Sequence, residues 1–159
     1  MSTLYVDTIN EKTSGNGVQI PGHVVQVVTG STATAATSTT STYADTGLSA
    51  VITPTSSSNK ILVVVNQQGC QKYGSNTGLA LKLFRGVTEL VKFEGQLGIN
   101  TNTSYDFNGG GCGATHLDAP STTSATTYKT QFSNRNGAGG VGVNVGDTTS
   151  TITLMEIAQ

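Results

Sequence analysis

The sequence predicts an all-β fold, a sandwich or barrel of about eight to ten short strands. Three observations lead there. Thr and Ser, 27 and 15 residues, make up about a quarter of the 159-residue chain. Thr is polar, yet it suits a pleated surface. No long segment carries the i, i+3, i+4, i+7 apolar pattern of a helix, because Gly, Thr and Ser interrupt throughout. Short runs rich in β-branched residues recur instead, separated by turn residues. Disorder, the competing explanation for so polar a chain, goes with high net charge. Here the net charge is −1.

The elements follow in order. Residues 4–9 alternate, with Leu4, Val6 and Thr8 on one face and Tyr5, Asp7 and Ile9 on the other. A Gly15-Asn16-Gly17 turn leads to a brief strand at 17–20. Pro21-Gly22 breaks the chain, and 23–29 is the next strand. The Ser/Thr/Ala stretch 30–42 reads as part mobile loop, part extended edge. Residues 43–47 read as a strand end entering a turn, and 48–53 alternate Leu48, Ala50, Ile52 against Ser49, Val51, Thr53. Residues 54–59 are a loop. The unbroken Ile61-Leu-Val-Val-Val65 suits a central strand buried on both faces. Residues 79–84 and 87–93 form a hairpin around Arg85-Gly86. Residues 105–107 and 114–117 flank a Gly-rich turn at 109–113. Residues 126–133 alternate, 137–142 read as a hairpin loop, and the apolar 150–158 reads as a central strand.

Composition excludes several classes of function. No Lys/Arg stripe exists to neutralise phosphates, so nucleic acid is not expected as a partner. No apolar run reaches the roughly 18–20 residues that span a bilayer, so membrane insertion is not expected. The basic start and long apolar stretch of a secretory signal are missing, so assembly in a cytoplasm is the expectation. Cys70 and Cys112 are the two cysteines, and the expectation is a pair of reduced, buried thiols.

Catalytic patterns are weak. Gly137-Ala-Gly-Gly-Val-Gly142 echoes a phosphate loop, but no helix follows it. Cys112, His116 and Asp118, with His23 as an outside candidate, fall short of a four-ligand zinc pattern. No Gly-x-Ser-x-Gly elbow is present. Glu89, Glu94, Asp106 and Asp118 offer no convincing pair for glycan cleavage. No catalytic, metal-binding or cofactor-binding residue is therefore expected.

Several phrases carry a resemblance. Leu4-Tyr-Val-Asp-Thr-Ile9 followed by Glu11-Lys-Thr-Ser-Gly15 resembles the N-terminal segment of many virion proteins of marine and cyanobacterial bacteriophages. Asp45-Thr-Gly-Leu-Ser-Ala-Val-Ile-Thr-Pro-Thr-Ser-Ser-Ser-Asn-Lys-Ile-Leu-Val63, Leu81-Lys-Leu-Phe-Arg-Gly86 and Thr151-Ile-Thr-Leu-Met-Glu-Ile157 resemble parts of phage fibre heads. Each phrase is a strand with a turn; their order makes the match specific. The resemblance implies a jelly-roll-like antiparallel β-sandwich of the tumour-necrosis-factor-like kind, usually trimeric, behind a short N-terminal β attachment segment. It divides the chain into an attachment segment, 1–22, and a head, 23–159. The long fibrous shaft of such fibres is missing after Pro21-Gly22, which favours a short fibre, spike, knob or capsid decoration.

The partners so implied are other virion proteins and two further copies of the chain. Leu4, Val6 and Ile9 are the expected attachment anchors, adding a strand to a partner's sheet. The alternative is a module that recognises a host cell-surface glycan. Its candidate ligand-facing residues are Tyr73, Asn100, Asn102 and Tyr105, since aromatic faces and amides suit sugars. A glycan depolymerase is the least supported reading.

Overall fold

Alternating and β-branched runs become ten strands in the computed structural model, which describes residue 8, residues 20–99 and residues 107–159. In chain order they are β1 (Val24–Thr32), β2 (Ala36–Ser38), β3 (Ala44–Ile52), β4 (Lys60–Tyr73), β5 (Leu79–Arg85), β6 (Thr88–Leu97), β7 (Phe107–Asp118), β8 (Thr126–Asn134), β9 (Gly140–Val143) and β10 (Ser150–Ile157). No helix occurs among the described residues. The expected strands at 4–9 and 17–20 lie outside the described residues, apart from Thr8 and Ile20.

Two antiparallel sheets form the β-sandwich. The smaller has the order β3-β8-β5-β6. In the larger, β4 pairs with β10 and then β9 along one edge and with β7 along the other, while β1 lies outside β10 and β2 outside β9. The apolar runs thus occupy the centre: β10 lies between β1 and β4, as expected of the closing strand. The hairpin forms with its turn one residue on, at Gly86-Val87, because Arg85 pairs with Thr88. Gly86 takes φ of 56°, which a side chain would resist.

Three expectations are corrected. Residues 109–113 do not turn; they run inside β7, paired with β4 across a bulge. The lack of side chains there serves close packing: a Cβ on Gly109 would lie 2.6 Å from a Leu97 methyl, and one on Gly111 2.6 Å from the Gln68 amide. The loop expected at 137–142 becomes β9 from Gly140 onward, because β4 and β2 flank it. The turn expected at 43–47 is instead a bulge between Asp45 and Ser49, so β3 is one strand.

The core fills in two apolar halves with a polar layer between them. One half gathers Leu48, Ile52, Ile61, Val63, Leu83, Tyr128, Ile152 and Leu154; the other gathers Cys70, Leu79, Leu81, Phe132, Val141 and Val143. Between them Gln67 donates to Ser150 Oγ (2.8 Å) and Asn144 Oδ1 (3.0 Å) and accepts from Thr130 Oγ1 (2.9 Å). The Thr130 hydroxyl in turn meets that of Thr46 (2.6 Å). Each buried side-chain polar atom among the described residues has a partner, so the layer costs little and fixes how the sheets register.

Two further polar contacts close one end of the sandwich, where Ile61 pairs with Glu156 on one side and Asp118 on the other. Glu156 is fully buried on β10, yet accepts from Gln26 Nε2 (2.5 Å), Thr55 N (2.7 Å), Thr55 Oγ1 (2.8 Å) and Asn59 Nδ2 (2.7 Å). Burial alone would raise its pKa, but these donors outweigh it and hold the carboxyl below its usual range. Asp118 on β7 accepts two hydrogen bonds from Arg85 on β5, 2.8 and 2.7 Å, and one from Tyr128 OH (2.7 Å). Burial and that carboxylate push the Tyr128 hydroxyl well above its ordinary pKa. At the entry to β1, Gly22 N donates to Ala158 O and Ala158 N to His23 O, so residue 22 sits against the end of β10.

Candidate functional site

The two outer faces of the sandwich differ in charge. Directly paired residues project to the same side of a sheet, and successive residues to opposite sides. On the smaller sheet, Lys82 meets Glu89 (2.6 Å) and Lys129 meets Asp45 (2.9 Å), and the Lys82 ammonium also lies 4.3 Å from the centre of the Tyr43 ring. The larger sheet turns Glu156 and Asp118 inward and pairs Lys72 with the interior residue Val141. Among the described residues, the charged side chain left on its outer face is Lys60, at one end.

Alternation places an apolar field on that outer face. Val27 pairs with Met155, Met155 with Leu62, and Leu62 with Leu117, giving one apolar row across four strands. Val24 and Ile157 extend it toward residue 22, and the next row is Thr29, Thr153, Val64 and Thr115. Val27 is 54% exposed and Leu117 51%. The expectation that the β4 run is buried on both faces therefore holds for one face only. Ile61, Val63 and Val65 are core; Leu62 and Val64 stay partly open.

At the opposite end of this sheet is a cleft of about 420 Å³. β4 reaches it at Gln68–Gln71, roughly 30 Å from the row nearest residue 22 at about 3.3 Å per residue. Two bulges in β4 around Cys70 and glycines in β7 open the space. Gln68, Gln71, Asn108 and Thr148 line it, with backbone from Gly69 and Gly110. Tyr73 stands beside it and its hydroxyl donates to Gln71 Oε1 (3.2 Å). Among the described residues no charged side chain lines it.

Of the expected site residues, Tyr73 is placed, next to this cleft. Leu4, Val6, Ile9, Asn100, Asn102 and Tyr105 lie outside the described residues. Sequence reasoning missed Leu62, Met155, Leu117, Gln68 and Gln71. The signal for the first three was present as alternation; the two amides are turned to one cleft by bulges in β4 that no local pattern announces.

The titratable candidates for chemistry among the described residues do not converge; Asp106 lies outside them. Among the described residues no three His, Cys, Asp or Glu side chains gather to hold a metal. His23 bonds back to Ile20, and Asp118 is engaged by Arg85 and Tyr128. Glu94 caps the backbone N–H groups of Gly95 and Gln96. Cys70 and Cys112 are free thiols sharing the second core half. The Cys70 thiol donates to Gln67 O (3.5 Å), and the neighbouring Cys112 together with burial pushes its pKa up.

No protein-family model matches the chain, and no curated protein matches it. The functional reading therefore stands on this geometry and on the resemblance described above.

Proposed function

We infer that the chain is a non-enzymatic bacteriophage virion structural protein: a homotrimeric short fibre, spike, knob or capsid decoration, fastened to other virion proteins through residues 1–22. The observation that carries this reading is the outer face of the larger sheet. It has an apolar row four strands wide and, among the described residues, a single marginal charge, while the other outer face is laced with ion pairs. Contiguous apolar surface of this kind marks an interface. A face without like charges is suited to meeting copies of itself. Strand order supports a jelly-roll-like head. Setting aside β2 and β9, the eight remaining strands fall into β1-β10-β4-β7 and β3-β8-β5-β6, a two-sheet arrangement of the double Greek-key kind.

Light scattering on the purified chain at micromolar concentration tests this. A trimer is expected, and Leu62→Asp should give a folded monomer, since assembly would bury an unpartnered carboxylate. A wild-type monomer would overturn the assembly reading.

The cleft favours a second reading, that the head also recognises a host cell-surface glycan. It lies at the end of the sheet away from residue 22, where a head held by its N-terminus would present it outward. A glycan array separates the two readings: a purely structural head binds nothing on it.

A further inference from the structure

We propose that the cleft at the far end of the larger sheet is a subsite for a neutral, polyhydroxylated ligand, a hexose or N-acetylhexosamine unit of a surface glycan; this rests on the second reading above. Three observations lead there.

The first is the hydrogen-bonding character of the lining. Gln71 is more than nine-tenths buried. Its carbonyl oxygen takes the Tyr73 hydroxyl, which leaves the amide NH2 as the group offered to the cleft. That NH2 has no acceptor among the described residues, and since no buried side-chain polar atom there lacks a partner, it is open to the cleft as a free donor. Gln68 is the complement. Its NH2 is directed to Asn66 Oδ1, which leaves its carbonyl oxygen as a free acceptor. The cleft therefore presents a fixed donor and a fixed acceptor from neighbouring positions of one strand. A sugar hydroxyl both donates and accepts, so adjacent hydroxyls of one ring satisfy such a pair.

The second observation is how firmly these amides are held. The Gln68 amide lies against Gly111, where a Cβ would come within 2.6 Å of it, and a Cβ on Gly142 would meet the Tyr73 hydroxyl at 3.2 Å. The glycines leave room for the Gln68 amide and for the Tyr73 hydroxyl that holds Gln71. A preorganised polar group binds at lower entropic cost.

The third is electrostatic. Among the described residues the lining has neither a cation nor an anion. Sialylated or uronate sugars would bring a carboxylate with no counter-charge and lose solvation on entry. A peptide is a poorer fit, because among the described residues Cys70 and Val145 are the sizeable apolar groups of the lining.

The test uses the full chain in its native assembly. An array carrying neutral hexose and N-acetylhexosamine oligosaccharides beside sialylated and uronate ones comes first. Saturation-transfer NMR follows on the neutral disaccharides that bind. Neutral sugars should bind and charged ones should not. Gln71→Ala and Gln68→Ala should each weaken binding about tenfold or more, the usual effect of removing one partner of a buried hydrogen bond. Their melting temperatures should stay near wild type. If Gln71→Ala does not fold, Gln68→Ala and Asn108→Ala, both at less buried positions, decide the matter. Binding of charged glycans alone, or neutral binding that both amide variants leave intact, overturns this subsite while sparing glycan recognition by the head. Silence across the array overturns both.

Discussion

Replacing Glu156 by Gln tests the most heavily coordinated group in the fold. The side chain is fully buried and accepts four hydrogen bonds, three on Oε1 and one on Oε2. In the variant, the amide oxygen can keep the three donors from Thr55 and Asn59. Hydrogen bonds to a charged acceptor contribute about 1.5–3 kcal/mol against about 0.5–1.5 for neutral pairs, so the three weaken together by roughly 3 kcal/mol. Relief of charge desolvation offsets part of this. The new NH2 then faces the Gln26 NH2. Turning the Gln26 amide over forfeits its bond to Thr53 O (2.8 Å), a loss of about 1 kcal/mol. The net expectation is destabilisation by about 2 kcal/mol, or roughly 4–8 °C in a domain this size. The pH dependence has a definite sign. The carboxyl is held below its usual range in the fold, so the unfolded chain takes up its proton first as pH falls. Its contribution is complete above the ordinary carboxyl range, about pH 4.3, and fades as pH drops through the folded value. Denaturant melts of both proteins at pH 7 and at successively lower pH should show the largest gap at pH 7. Equal stability at pH 7, or a gap that widens on acidification, would refute the reasoning.

Other outcomes follow from the same packing. Gly30→Ala places a Cβ 2.0 Å from Ser49 O, so β1 must move off β3; thermal melts should show a loss of about 1–3 kcal/mol. Reducing agent should move the melting temperature by less than about 2–4 °C, the shift for 1 kcal/mol, because Cys70 and Cys112 are free; a larger drop would mean a bridge. Deleting residues 1–20 keeps Gly22 and its bond to Ala158, so the head should melt nearly as before while the protein disappears from purified virions. Val6→Asp should act alike, and incorporation at wild-type copy number would remove the attachment role.

Fold class was legible because it depends on short-range period. Alternation at Leu48, Ala50 and Ile52 put all three in the core, and the apolar runs at 61–65 and 154–157 did become the central strands β4 and β10. The glycine stretches misled for a physical reason. Gly109 and Gly111 resemble turn residues in isolation; what makes them strand is the partner backbone of β4 and the side chains of Leu97 and Gln68 resting on them. The buried polar layer was equally hidden. Gln67, Thr130 and Ser150 sit at inward positions of their strands, but only the three-dimensional meeting of β4, β8 and β10 shows that they satisfy one another. The cleft was legible through Tyr73 alone, since its other residues come together across bulges.

The seam between β1 and β10 has a mechanical meaning. β1 begins beside residue 22 and runs antiparallel to β10, paired from Val24–Ile157 to Thr32–Ser150. Tension applied through residues 1–22, with the far end of the head held, pulls along the axis of β1. Ladder hydrogen bonds lie across the strands, so this pull shears the whole row together instead of unzipping it pair by pair. A head tethered at this corner is therefore loaded in its stronger direction.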